Sequence, residues 1–412
     1  MPAQTNQRID GKRLWDSLMS MAQIGATPKG GVRRLRLTDV DKRGRDRFRA
    51  ECEAAGLTVR VDAIGNMFAR RPGRDPNRLP VLFGSHLDSQ PSGGKFDGAY
   101  GVLAGLEVVR TLNDHGVQTD APIEVAVWTN EEGSRFTPVM MGSGVFAGAF
   151  SLEHALSRTD IDGKSVREEL TRIGYAGKAP LGTAIGAYFE AHIEQGPILE
   201  ETRNTIGIVT GALGQRWFDV TVTGMNAHAG PTPMNLRKDA LLAASRIVGE
   251  VNRIALDEAP HGRGTVGFMQ VSPNSRNVVP GEAKFSVDFR HPDDAGLKAM
   301  EQKLRAACVG VEDECSVTVR VEEVVYFPPC RFDAQCVAAV RAGAQAGGYP
   351  AVEIVSGAGH DAVHVANVAP TAMIFVPCKE GVSHNELEDA KPEHLAAGCN
   401  VLLHAMLSRA GA

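Results

Sequence analysis

The sequence predicts an α/β protein with a mainly parallel sheet, interrupted by an inserted ferredoxin-like block. Three observations carry that prediction. Short apolar runs of the buried-strand type alternate with helical stretches in the first half of the chain, the pattern of βαβ units. From Gln215 to Pro328 the rhythm changes to β-α-β-β-α-β, the ferredoxin-like order. After that block, strand and helix of the first kind resume.

Taken in order, residues 11 to 26 read as an amphipathic helix and Asp39 to Ala55 as another, with Thr38 or Asp41 as its N-cap. Thr58 to Ile64 alternates as a strand, Gly65-Asn66 supplies a turn, and Met67 to Arg70 returns. Leu79 to Gly84 (LPVLFG) is a buried strand, followed by the loop SHLDSQPSGGKFDG, a helix from about Ala99 to Asn113 and the strand-like PIEVAVWT. In the inserted block, strand RWFDVTVTG, helix LRKDALLAASRIVGEVNRIAL, strands TVGFMQVS and AKFSVDFR, helix LKAMEQKLRAACV and strand SVTVRVEEVVYF follow one another. Asp333 to Ala346 then reads as a helix, Thr371 to Pro377 (TAMIFVP) as a buried strand and Pro392 to Ser408 as a closing helix. The expected domains are residues 1–212 with 330–412, and an insert over 213–329. Short connections near Gly211 to Gly214 and Pro328 to Pro329 would let the insert rotate as a rigid lid.

Composition narrows the function classes. Of 412 residues, 43% are hydrophobic and 23% charged, ordinary for a globular protein and wrong for disordered, collagen-like or coiled-coil chains. A formal net charge of -5 without basic runs argues against a nucleic-acid partner. No apolar stretch approaches a membrane span, and the polar start MPAQTNQRIDGKR lacks a signal-peptide core; the expectation is a cytoplasmic protein with no membrane partner. The seven cysteines are scattered with no CxxC pair, which fits reduced thiols better than disulfides or a cysteine-held zinc. A metal would have to be held by histidine and carboxylate.

In open α/β sheets, functional groups collect at the carboxyl ends of the strands. Four segments place metal-type ligands there: His86 and Asp88 after LPVLFG, with Asp97 closing the glycine loop; Glu131 and Glu132 after PIEVAVWT; His192 and Glu194 in AYFEAHIE; and His384 after TAMIFVP. Singly, each is an ordinary hydrogen-bonded strand-end residue; their convergence points to a site. Asp88 is near enough to be the carboxylate that accepts the second ring proton of a ligating His86. Adjacent acids on an extended strand point to opposite faces, so Glu131 and Glu132 can both serve only where the strand has ended. One can then bind metal while the other stays free as a base. Three histidines with Asp97 and Glu132 exceed what one catalytic zinc with an open position accepts. With Asp97 as bridge, two ions each receive three ligands, can share a hydroxide, and retain positive charge for an anionic substrate.

The motifs HLDSQPSGGKFDGAYG, TNEEGSRF, AHIEQGP, GMNAHAGPTPM, RNVVPGEAKFSVDFR and GVSHNELE resemble, in their expected order from about residue 10 to residue 405, the hydantoinase/carbamoylase branch of the M20 metallopeptidase-like amidohydrolases. The branch includes N-carbamoyl-L-amino acid hydrolases, β-ureidopropionases and allantoate amidohydrolases. The resemblance implies a dinuclear metallohydrolase domain with an inserted lid and dimerisation domain, working as a homodimer. It implies one divalent metal ion on His86, Asp97 and His192 and another on Asp97, Glu132 and His384, the ions being Zn, Mn, Co or Ni. Glu131 is the implied general base, and a histidine at 192, where the peptidases typically have a carboxylate, argues for an amidohydrolase.

Further roles follow from the same resemblance. His228 would donate to the oxyanion in the partner subunit's site, Asn277 and Arg290 would together hold a substrate carboxylate, and Gln195, Gln215 and Gly359 would touch the substrate. His360 reads equally well as a turn residue. Cys378 and the remaining histidines read as structural, and Gly93 and Gly94 as the flexibility that brings Asp97 to the metals. The expected activity is cleavage of an N-carbamoyl-L-amino acid to the amino acid, CO2 and ammonia. Allantoate and N-carbamoyl-β-alanine are the alternative substrates, and a non-catalytic dimeric binding protein is the alternative of a different class.

Overall fold

The computed structural model describes residues 7–412 and divides the chain into two compact units, Met1–Gly211 with Arg331–Ala412, and Ala212–Cys330. The first unit is built on a nine-stranded mixed sheet. Its centre is four parallel strands in the order Ile123–Trp128, Val81–His86, Ala187–Ile193, Thr371–Val376. These strands are buried along their whole length, which is why they appear in the sequence as continuous apolar runs. Antiparallel strands flank them: Met67–Arg71 and Thr58–Val61 on one side, Ile206–Ala212 on the other.

Both faces of the sheet are covered. Gly105 of helix Ala99–Asp114 lies against Phe83 and Val125. Trp128, three positions further along the strand and so on the other face, meets Phe146 of helix Met141–Phe146 at 5.1 Å between ring centres. The helix expected over 11–26 runs Gly11–Ala22, and the next runs Asp39–Ala54 with Thr38 as its N-cap. Asp41 is instead fully buried inside the fold.

The second unit follows the expected β-α-β-β-α-β order in an antiparallel sheet. Strand Gly214–Thr223 lies between Glu282–His291 and Thr318–Phe327, with Met269–Ser272 outermost. Helices Ala240–Asp257 and Asp294–Cys315 cover one face around Phe218, Val220, Ile247, Val287, Phe289 and Leu304. The expected single strand TVGFMQVS is broken into Arg263–Thr265 and Met269–Ser272, both paired with Glu282–His291. Among the described residues, no helix is long and apolar enough to cross a membrane.

Candidate metal centre

The four parallel strands deliver their side chains to one edge. His86 is the last residue of its strand and His192 the last but one of the next; Glu131 and Glu132 follow Trp128, and His384 lies in the loop beyond Val376. Asp97, at the end of the glycine loop, stands among them. One of its oxygens is 3.3 Å from His86 Nε2 and 3.2 Å from His192 Nε2. The other is 3.4 Å from His384 Nε2, which is itself 3.3 Å from Glu132 Oε2. Two groups of donor atoms result, His86-Asp97-His192 and Asp97-Glu132-His384, with the ligand atoms of each group within 4.8 Å of one another. All but His384 are buried.

The surrounding hydrogen bonds aim these groups. His86 Nδ1 lies 3.0 Å from the carbonyl of Asp88, and His192 Nδ1 lies 2.9 Å from that of Ile193. With Nδ1 of each ring engaged by a carbonyl, Nε2 is the nitrogen turned toward Asp97, as a donor to the carboxylate when it carries a proton and as a ligand to a cation once that proton is lost. The Asp88 carboxylate does not take the His86 proton, its nearer oxygen being 4.0 Å away; it accepts the Glu132 backbone N–H at 3.2 Å instead. Gln90 donates to both oxygens of Glu132, from its backbone at 3.0 Å and its side chain at 2.7 Å. Gln195 and Ser383 donate to Asp97 Oδ2 at 3.0 and 3.1 Å.

Glu131 lies 3.5 Å from His86 Nε2. Burial, reinforced by Asp361, Glu132 and Asp97, pushes its carboxyl well above the usual carboxylate range. Burial likewise raises Glu132, with repulsion from Asp97, to about 7. Burial also opposes charge on Asp97, yet hydrogen bonds from His192, His384 and His86 hold it well below its ordinary value. Burial disfavours a charged His86, but Glu131, Asp97 and Asp88 raise it well above the ordinary histidine value. Acids outnumber bases among these buried groups, a charge pattern that divalent cations would relieve.

Three conformational features hold the arrangement. Asn130, Gln195 and His384 are left-handed, with φ of 56°, 58° and 53°, uncommon for residues other than glycine and concentrated at functional sites. Gly98, with φ 64°, is the glycine that brings Asp97 in: a Cβ there would meet the His86 ring at 2.3 Å. Gly93 and Gly94, to which the sequence assigned that flexibility, have no positive φ, and Gly94 leaves room for Glu388. Glu388, which sequence reasoning missed, accepts the Phe96 and Asp97 backbone N–H groups at 2.9 and 3.2 Å. His360 is also more than a turn residue, since its ring packs on His192 at 4.6 Å. Gly359 is exposed beside Met140, and Cys378 is a buried thiol.

The remaining candidates belong to the second unit. His228 and Asn277 are exposed neighbours, for Val278 pairs with His228 and the Ala229 N–H donates to the Asn277 carbonyl at 2.8 Å. Gln215 and Arg290 face each other across the strand pair, and Arg290 is bound to Asp288 at 2.9 Å. Asn277 lies before the start of strand Glu282–His291, and Arg290 is near that strand's other end.

The fold and the histidine-carboxylate cluster define a hydrolase of the metallopeptidase type, and residues 82–408 match the model of peptidase family M20/M25/M40. An N-carbamoyl-L-amino-acid amidohydrolase of Rhizobium meliloti is 51% identical over 98% of both chains. An allantoate amidohydrolase of Bacillus subtilis is 36% identical over 94% of this chain and 95% of its own. The crystal structure of a hydantoinase/carbamoylase family amidase from Burkholderia multivorans superposes with a TM-score of 0.96 at 62% identity, over 98% of each chain. The chain belongs to the M20 family, in its hydantoinase/carbamoylase branch of amidohydrolases.

Proposed function

We propose that the protein is a two-metal amidohydrolase that cleaves the carbamoyl C–N bond of N-carbamoyl-L-amino acids, releasing the amino acid, CO2 and ammonia. The observation that carries the reading is Asp97, whose two oxygens address two separate sets of nitrogen and oxygen donors. The donors suit divalent zinc, manganese, cobalt or nickel: His86, Asp97 and His192 would hold one ion, and Asp97, Glu132 and His384 the other. Such ions, when bound, supply Lewis-acid activation of a water molecule and of the ureido carbonyl.

The chain's own groups then divide the work. Glu131, buried beside the cluster but outside both ligand sets, takes the proton of the attacking water and hands it to the departing nitrogen. Gln195 keeps Asp97 oriented through its 3.0 Å hydrogen bond. Arg290 and Gln215 bind the carboxylate end of the substrate from the insert, which acts as a lid, and Gly359 allows close approach at the site's rim. Because His228 and Asn277 sit together and away from Arg290, we assign them to the partner subunit's site, where His228 stabilises the oxyanion. The insert is then both lid and dimerisation domain.

The relative from Rhizobium meliloti supports the carbamoyl amino acid as substrate. The Bacillus subtilis relative makes allantoate the second reading, since allantoate also offers a carboxylate and ureido groups. Ammonia release from N-carbamoyl-L-methionine, allantoate and N-carbamoyl-β-alanine, each with Mn2+ and with Zn2+, separates them. Turnover is expected with the first; turnover of allantoate alone would replace this reading with the second.

A further inference from the structure

The segment Gly31–Thr38 carries two buried arginines, Arg34 at 3% and Arg36 at 1% exposed; Arg36 stands closer to the candidate site. Its guanidinium spans two segments that lead into the metal ligands. Nη2 donates to Thr129 Oγ1 at 2.7 Å, two residues before Glu131. Nη1 donates to Asp41 Oδ1 at 3.1 Å and stands 3.7 Å from Asp88 Oδ1. Asp88, also 1% exposed, joins the same two segments from the other side: its carbonyl faces His86 Nδ1 and its carboxylate accepts the Glu132 N–H. Asp88 Oδ1 has no hydrogen bond; its charge is answered by the Arg36 guanidinium at 3.7 Å, with the buried Arg34 also contributing. Arg45 completes the group, bonding Asp41 at 3.0 Å and Thr129 at 3.2 Å. A buried carboxylate needs such a partner, and guanidinium geometry lets one side chain serve several acceptors at once.

We propose that Arg36 is a positioning residue for the metal centre: through Asp88 and Thr129 it sets the spacing between the loop that carries His86 and the loop that carries Glu131 and Glu132. The proposal rests on the two-metal reading. Arg36 touches no metal ligand side chain, so its effect passes through the backbone and through Asp88. Removing an outer partner of this kind typically weakens metal binding by about 10–100-fold. Loss of charge matters most for Asp88, and loss of the planar fork for Thr129.

The test is Mn2+ and Zn2+ binding by isothermal titration to the full chain stripped with a chelator. It compares wild type, Arg36→Met, Arg36→Lys and Thr129→Val at a temperature where circular dichroism shows every metal-free protein folded. Wild type should bind two ions per chain. Arg36→Met should raise a dissociation constant by about 10–100-fold, and Arg36→Lys, which keeps the charge opposite Asp88, should recover part of that loss. Should Arg36→Met not fold, Arg36→Lys and Thr129→Val carry the test, each with a rise of about 3–10-fold. Dissociation constants within twofold of wild type, whatever the melting temperatures, would reduce Arg36 to a structural role and overturn the proposal. Wild-type protein that takes up neither ion would instead overturn the two-metal reading, and the role of Arg36 with it.

Discussion

At the scale of single residues, Glu131 and Glu132 show how neighbours come to stand in different surroundings. Glu132 is gripped by Gln90 and Asp88 and faces His384, whereas Glu131 lies in neither set of metal donors and is raised by burial. Changing Glu131 to glutamine keeps shape and removes the proton acceptor. Turnover should fall by about 10²–10⁴-fold while metal content by atomic absorption stays at the wild-type level; unchanged turnover would remove Glu131 as the base. These acids were readable in the sequence because each ends an apolar run. Glu388, Gly98 and Arg36 were not. Their partners lie far away in sequence, as with Glu388 and Phe96, and nothing local marks a charged residue as buried.

At the scale of elements, the four central strands were legible because burial on both faces imposes continuous apolar sequence. Strands Ile206–Ala212 and Ala351–Ser356 were missed: the first contains two glycines, and the second is partly exposed, so neither shows a clean pattern. The short helix Asp361–Val365 was missed as well, since five residues are too few for a helical period. It nonetheless places His364 edge-on against Phe150 at 5.3 Å, where burial lowers its pKa below the ordinary 6.5. The unfolded chain therefore takes up a proton that the folded chain refuses, and stability is lost as pH falls below about 6.5. Thermal midpoints should fall further for wild type than for His364→Gln between about pH 7.5 and about pH 5.5. Parallel curves would mean that His364 titrates alike in both states.

At the scale of the whole molecule, one compact unit joins Met1–Gly211 to Arg331–Ala412, and its candidate metal donors run from His86 to His384 across that break in the chain. The assignment of His228 to the partner's site makes a quantitative prediction. Glu131→Gln and His228→Ala proteins, each inactive alone, should recover about a quarter of wild-type activity when subunits are exchanged by unfolding and refolding together. Half the dimers would then be mixed, each with one intact site. No recovery would place His228 in its own chain's site. The pairing of Thr371–Val376 with Ala187–Ile193 has a different consequence, for the order of folding. Strand Ala187–Ile193 must wait for a neighbour about 180 residues away, a distant closure of the kind that slows folding. The insert, whose strands and helices are contiguous and share a core of their own, closes over a shorter separation, Gln215 pairing with Phe327 about 110 residues on. During synthesis it can fold while the nine-stranded sheet still lacks Cys330–Arg331, Ala351–Ser356 and Thr371–Val376, so the half-built sheet, with its apolar edge uncovered, is the nascent form most exposed to aggregation.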